Sequence, residues 1–394
     1  MKILVLGSGL IGPAAAFNSM SDPEVSQVTL CDLNQTALDQ AAEKLARLPG
    51  SEKVTTVALD LRDEAAAIEL MRGYDAIVGA LPGLVTALGI RPAIKAGTPL
   101  VDLTRPSPEE TAELKALAEE TGSLIVLSCG LEPGLTEIMT HHLADRLDRV
   151  DEVHIKCGGI PAEPAPPLGY KIVFGGRRLP LREFDARIVE DGQLKPIPRY
   201  SGVEQLDFPG VGAVEAWHEG FMPWLLELPA LKNLRLGTQK TIRWPGYAAK
   251  VTLLKEMGLL SLEPVEVDGV QVRPKHVLDA VMYPKVKLEE GEREVTLFKV
   301  EVSGQKDGQA RRYTTQMVDW YDEKTGMTSM ARTTAYTGAI MARMIARGDV
   351  SAAGIYPPEQ LVAGPAFERM VTELAAAGIT FKITTETVQI LKKN

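Results

Sequence analysis

The chain has 394 residues, of which 45% are hydrophobic, with 43 Lys and Arg against 52 Asp and Glu for a formal net charge of -9. That length suits two domains with a sizeable core, while the acidic balance without a basic block excludes nucleic acid and anionic membrane as expected partners. No apolar run reaches bilayer length, and three cysteines without C-x-x-C spacing and five histidines without H-E-x-x-H give no metal pattern, so a reducing cytoplasm and no metal are expected.

The first 32 residues read as structure, not as a secretory signal, because glycines and Pro13 interrupt the apolar run. A strand at 3–6 enters Gly7-Ser8-Gly9-Leu10-Ile11-Gly12, an Ala-rich helix follows, and a second strand ends at Asp32, twenty residues past the last glycine. Strand, G-x-G-x-x-G, helix, strand and acid together form the dinucleotide-binding pattern. The glycines allow a tight turn and close approach to a pyrophosphate, the helix start faces it, and Asp32 favours the free ribose hydroxyls of NAD over the phosphate of NADP.

Helices are expected at 37–48, 63–71, 87–96 and 108–121, alternating with strands at 54–59, 75–80, 99–103 and 124–127. Such alternation implies a parallel doubly wound sheet with ligands at the carboxyl ends of its strands. Asp60-Leu61 then lies near the adenine, and Ala80-Leu81-Pro82 near the nicotinamide. The Gly/Pro-rich turn 128–134 reads as a hinge, which sets domains at 1–128 (nucleotide), 129–325 (substrate and dimerisation) and 326–394 (elements returning to the first). Beyond residue 151 alternating segments at 153–157, 187–189, 265–272 and 295–302 imply an inserted α+β domain with a mostly antiparallel sheet, including a hairpin turning near 304–308. A long apolar helix at 329–347, a last helix at 366–377 and a closing strand at 379–391 complete the chain.

Candidate chemistry comes from polar residues near the hinge and in the second region. Asp102 follows the fifth strand and reads as either a turn-former or an acid–base group. Glu132 sits in the hinge turn. Tyr170 and Lys171 are adjacent but lack a Tyr-x-x-x-Lys spacing. Glu215 and His218 lie three apart, so on a helix they share a face, and His218 has the ordinary pKa for proton transfer. Arg243, in an apolar and aromatic stretch, needs an anion, either a substrate carboxylate or a structural acid.

Several of these stretches carry a resemblance. GSGLIG, CGLEPG, GGIPAEPAPPLGY, VEAWH, TIRWPG, MARTTAYT and GIYPPEQ resemble the saccharopine dehydrogenase-like superfamily, and within it most closely the lysine 6-dehydrogenases. The resemblance implies an N-terminal Rossmann domain completed by C-terminal elements, a homodimer or larger assembly, and NAD-dependent oxidation of an amine on a small amino-acid substrate. It assigns Arg243, Glu132, Lys171 and Tyr247 to substrate binding, Asp102, Glu215 and His218 to proton handling, and Tyr170 to orientation. Cys129, Gly175 and Tyr247 depart from residues common in relatives. L-lysine is the expected substrate, oxidised at its ε-carbon. Saccharopine, a synthase that returns the hydride, and an NAD-binding sensor without turnover are the alternatives.

Overall fold

The computed structural model describes residues 1–173, 176–289 and 291–388. The chain divides into two compact units. The first comprises Met1–Met139, Glu323–Met327 and Ala331–Thr380, and the second Thr140–Asp322, Thr328–Met330 and Phe381 onward.

In the first unit, strands and helices alternate as β1 (Lys2–Leu6), α1 (Gly12–Met20), β2 (Gln27–Asp32), α2 (Gln35–Ala46), β3 (Val54–Ala58), α3 (Glu64–Met71), β4 (Ala76–Gly79), α4 (Ala87–Ala96), β5 (Leu100–Asp102), α5 (Pro108–Thr121) and β6 (Leu124–Val126). Ile3, Leu4, Val5 and Leu6 are all 0% exposed, the continuous apolar run expected of a strand covered on both faces. The sheet is parallel in the order β3-β2-β1-β4-β5-β6. The order reverses between β1 and β4, which places a ligand crevice beyond their carboxyl ends. Helix starts follow local chemistry: Asn34 and Asp63 accept from the Ala37 and Ala66 N–H groups, and Ser107 and Glu110 form a reciprocal capping box.

Helix α6 (Leu135–Ala144) leads to the second unit, whose strands are β7 (Arg149–Pro161), β8 (Ala186–Glu190), β9 (Gln193–Ile197), β10 (Glu204–Phe208), β11 (Gly212–His218) and β12 (Leu236–Arg243). Helix α7 (Tyr247–Glu256), a separate hairpin of β13 (Val265–Val267) and β14 (Val270–Val272), helix α8 (Pro274–Val286), β15 (Glu294–Lys306) and β16 (Gln309–Trp320) follow. The large sheet runs β10-β11-β12-β7-β15-β16, antiparallel except between β12 and β7.

Three local expectations change here. GAVEAWH is the strand β11, not a helix: Val214 and Ala216 enter the apolar cluster on one face, so Glu215 and Trp217 occupy the other. Glu215 and His218, an odd number of residues apart, therefore lie on opposite faces and not on a shared one. The alternating run 265–272 is two short strands, because Asp268 and Gly269 both adopt positive φ and close a two-residue turn. The same chemistry sets the long hairpin's turn at Asp307-Gly308.

The chain continues through α9 (Ser329–Arg347), β17 (Gly354–Tyr356), α10 (Pro365–Ala376) and β18 (Lys382–Val388). In the first unit β17 extends the parallel sheet beyond β6. Arg343 of α9 pairs there with Asp22 at 3.0 Å and Glu373 at 2.7 Å, and donates to Asn18 Oδ1 at 2.8 Å. The strand expected over 379–391 begins at Lys382 and joins the second unit's sheet beside β16; positions 389–391, and Gly175, lie outside the described residues. Among the described residues no helix is long and apolar enough to cross a membrane.

Candidate functional site

The glycine turn of the first unit is held by backbone contacts that only glycine permits. Gly7 has φ +97°, and a Cβ there would stand 2.7 Å from the Ala80 carbonyl oxygen. At Gly12 it would stand 1.8 Å from the Gly7 oxygen. Gly9 differs: nothing lies within 4 Å of a Cβ there, so the space over it is open. Beside it Leu10 is 47% exposed, Ile11 opens α1 with no side chain capping the helix, and Pro13 fills the first turn. An uncapped helix start over open space fits a pyrophosphate.

Asp32 ends β2 as the sequence pattern requires. Its Oδ2 accepts from the Ser8 N–H at 2.7 Å and the Ser8 hydroxyl at 2.9 Å, and Oδ1 from the Asn34 N–H at 2.8 Å. A carboxylate offers about four acceptor sites, which leaves one for a ribose hydroxyl. Nothing in the sequence singled out Ser8, the variable residue between the glycines. Leu59 donates to the Asp32 carbonyl, so the Asp60-Leu61 corner lies beside this acid. Asp60 is half-buried and forked to Arg62, and Leu61 packs on the core. Ala80 donates to the Leu6 carbonyl at 2.8 Å and Pro82 accepts from Val85 at 2.9 Å, which fixes the Ala80-Leu81-Pro82 turn next to the glycines.

Asp102, at the end of β5, is 1% exposed. The Thr86 hydroxyl donates to its Oδ2, and the Thr104 N–H and hydroxyl to its Oδ1 at 2.7 and 2.8 Å. Burial pushes its carboxyl up to about 6 in spite of those donors. Glu132 lies half-buried in the same unit, in a turn closed by Gly130 donating to the Pro133 carbonyl.

The second unit gathers Tyr170, Tyr247 and Arg243 with two residues the sequence reading missed, Trp217 and Tyr200. Trp217 stacks on Tyr247 at 6.0 Å between ring centroids and a 5° interplanar angle, and Tyr170 meets Tyr247 edge-on at 5.7 Å. Tyr200 lies 4.7 Å from Trp217. The Arg243 guanidinium is 4.8 Å from the Tyr170 ring centroid and 5.7 Å from that of Tyr247. Alternation along β11 is the signal that would have found Trp217, two residues from Glu215 on the same face.

Arg243 is 4% exposed and pairs with no carboxylate among the described residues. One terminal nitrogen donates to the Ile242 carbonyl at 2.7 Å, while Nε has no partner. The Tyr170 hydroxyl and Trp217 Nε1 are likewise buried without partners. Burial drives the Tyr170 and Tyr247 hydroxyls up against the pull of Arg243, so they stay protonated.

Glu215 stands directly opposite Arg243 in the β11–β12 register, yet its carboxylate turns to α7. It accepts from the Gly246 and Ala248 N–H groups, both at 2.7 Å, and so caps a helix whose own first residues provide no side-chain cap. His218 faces the other way, against Gly202, and burial first, then Lys240, lowers its pKa to about 4. Lys171 is committed to Glu292 at 2.8 Å and the Lys287 carbonyl at 3.1 Å. The structure thus brings Arg243, Tyr170 and Tyr247 together, gives Glu215 a supporting place beside them, and sets Lys171 and His218 in other contacts.

Comparison with known proteins agrees with this architecture. The saccharopine dehydrogenase NADP binding domain model matches residues 3–126, and the saccharopine dehydrogenase C-terminal domain model residues 130–379. The carboxyaminopropylagmatine dehydrogenase of Synechocystis sp. is 23% identical over 92% of this chain and 94% of its own. The L-glutamate-forming, NADP(+) saccharopine dehydrogenase of Schizosaccharomyces pombe is 24% identical over 94% and 97%. In fold, the chain matches the apo saccharopine dehydrogenase (L-Glu forming) of Saccharomyces cerevisiae with a TM-score of 0.80 at 19% identity, covering 98% and 99% of the two chains. With both domains of that family present in order, and its nucleotide cradle intact, the chain belongs to the saccharopine dehydrogenase family of pyridine-nucleotide oxidoreductases.

Proposed function

We propose that this enzyme oxidises the ε-carbon of L-lysine with NAD, releasing ammonia and a semialdehyde that cyclises to Δ1-piperideine-6-carboxylate. The observation that carries the reading is Arg243, a buried guanidinium without a carboxylate partner. A buried cation in that state favours an anionic ligand strongly. In the same cluster Glu219 occupies Arg182 and Arg199, and Glu292 occupies Lys171. One buried cation without a carboxylate partner in this cluster, among the described residues, suits a substrate with one carboxylate better than saccharopine, which has three.

Gly7, Gly9 and the start of α1 would hold the pyrophosphate, and Asp32 the adenosine ribose. When bound, the pyridine nucleotide supplies the hydride acceptor. Arg243 holds the substrate carboxylate, and the Tyr170 and Tyr247 hydroxyls donate to substrate oxygen atoms. The aromatic walls exclude water, which strengthens each of these contacts. The amine must shed a proton from a free pKa of about 10.4 before the carbon gives up hydride, so activity rises toward alkaline pH. Of the three residues expected to handle protons, Glu215 is spent on α7 and His218 lies on the other sheet face. Asp102, near 6, is therefore the proposed acceptor. The family model is described as NADP-binding, so NAD preference, argued from Asp32, is where this chain is proposed to differ.

A saccharopine-type secondary amine is the second reading, favoured by the Schizosaccharomyces pombe relative that spans 94% of this chain. Incubation with NAD and either L-lysine or saccharopine, following NADH, ammonia and glutamate, separates them. NADH and ammonia from lysine are expected. NADH and glutamate from saccharopine, with lysine inert, would replace the proposal, and silence with both would point to another amine or to a sensor. We infer also a cytoplasmic homodimer or larger assembly; Cys31, Cys129 and Cys157 are buried free thiols, as a reducing compartment allows.

A further inference from the structure

The second unit contains a cleft whose lining does not include Arg243, Tyr170, Tyr247 or Trp217, although its Leu179, Leu181 and Leu260 belong to the same apolar cluster as those aromatic rings. It has a volume of about 390 Å³ and lies among the 178–184 segment, the 260–263 segment and the start of α8. That size falls within the range of small-molecule sites, roughly 300–1,000 Å³. Its walls are apolar at Leu179, Leu181, Phe184, Leu260 and Leu262. Phe184 and Leu262 are 64% and 56% exposed, with the Arg199 guanidinium 4.7 Å from the Phe184 ring centroid.

Its charged groups divide into those already committed and those not. Lys275, 6% exposed, donates to Asp279 Oδ1 at 2.5 Å and to the Leu179 carbonyl at 3.2 Å. Arg182 is paired with Glu219. Asp279 is also 6% exposed; its Oδ1 further accepts from the Leu179 N–H at 3.1 Å, but its Oδ2 is buried with no partner. A buried carboxylate oxygen left without a donor is costly. Arg178 lines the same cleft, is exposed, and has no ion-pair partner among the described residues.

We propose that this cleft binds a free α-amino acid with an apolar side chain, at a site distinct from that of the reaction. Arg178 calls for a carboxylate and the unmet Asp279 Oδ2 for an ammonium, so a ligand carrying both charges suits the cleft, which Glu183 and Glu263 also line as exposed carboxylates. The leucines and Phe184 take the side chain. A simple carboxylate leaves Oδ2 unmet, and a simple amine leaves Arg178 unmet. The inference does not rest on the identity of the substrate.

Isothermal calorimetry on the full-length protein tests it, with L-leucine as the probe beside isovalerate, which lacks the ammonium, and isoamylamine, which lacks the carboxylate. L-leucine should bind, and each analogue should bind at least about tenfold more weakly, the scale of one charge-assisted hydrogen bond. Arg178→Ala and Asp279→Asn should each weaken L-leucine by about tenfold or more, with Arg178→Ala the secure variant because that residue is exposed and supports nothing else. Arg243→Ala should leave L-leucine binding unchanged. No heat with L-leucine, equal binding of the analogues, or binding lost in Arg243→Ala and kept in Arg178→Ala would each overturn the proposal. None of these results bears on whether lysine is the substrate.

Discussion

Asp102 in the first unit and Arg243 in the second are both almost wholly buried charges at strand ends, and their surroundings treat them in opposite ways. Three donors converge on the Asp102 carboxylate, two from Thr104 and one from Thr86, and they tie the β4–α4 loop to the end of β5. Around Arg243 the neighbours are aromatic rings and a carbonyl, and the acid opposite it in register has been drawn off to cap α7. The first charge has its donors within the fold. The second has no carboxylate partner among the described residues, and an incomplete buried charge is stable only where the site is filled in use or the fold is rigid enough to bear its cost. The units share the second pattern where a ligand is proposed: the nucleotide cradle leaves the start of α1 uncapped, and the second unit leaves polar atoms of Arg243, Tyr170 and Trp217 unmet.

The largest effect expected from breaking this contrast lies in the cradle. Gly12→Ala forces a Cβ against the Gly7 carbonyl and displaces the whole turn, so nucleotide KM should rise on the order of 100-fold. Gly9→Ala, with open space above it, should leave Tm unchanged and weaken nucleotide alone; equal loss of stability in both would show that the cradle is not the binding surface. Next, Arg243→Ala should lower kcat/KM for the amino acid by roughly 30-fold or more, the loss of about 2–4 kcal/mol, with nucleotide affinity kept. A folded variant with ordinary kinetics would reduce Arg243 to a structural role. Asp32→Ala should narrow the preference for NAD over NADP by about tenfold, since a carboxylate beside the ribose repels a phosphate; an unaltered protein that already prefers NADP would refute this.

Two smaller effects sharpen the comparison. Glu215→Gln should cost about 1–2 kcal/mol of stability through the α7 cap, seen as a lower urea midpoint, while the alkaline rise in activity persists. A loss of activity beyond about 100-fold at unchanged midpoint would instead make Glu215 the base. For Asp102 the sign follows from its raised pKa. The folded state holds the proton up to about pH 6 and the unfolded chain only to about 3.9. Between those values the folded state binds more protons, so the group's contribution to stability falls as pH rises through that window. The stability of the native protein relative to Asp102→Asn should therefore decline from pH 4 to pH 7 and level off above; a flat difference would mean the carboxyl titrates normally.

The cradle was legible in the sequence because its demands are local. A turn that admits only glycine, a helix start and an acid at the end of the next strand all fall within 32 residues, each marked by residue type. Arg243 and Tyr170 were legible as types but not as partners, since Tyr170, Trp217, Arg243 and Tyr247 come together only through the β11–β12 pairing and the docking of α7. Glu215 misled for a related reason. Its spacing from His218 suits a helix face, but the alternation of Val214 and Ala216 puts the segment in a strand, where an odd spacing separates side chains. The cleft beside Asp279 had no signature at all, because an unpaired carboxylate oxygen is a fact of packing.

Strand β17 has a consequence in time. It covers the β6 side of the parallel sheet, pairing Gly354–Tyr356 with Leu124–Val126, yet it lies more than two hundred residues downstream. During synthesis at about 5–20 residues per second, a fully apolar Leu-Ile-Val edge therefore waits roughly 10 to 50 s for its partner. Such an edge is a template for any other extended segment, including the same edge of a neighbouring nascent chain. A ribosome that stalls in the second unit would release a nucleotide-binding sheet with its flank open, and holdase chaperones would be expected to find it there first.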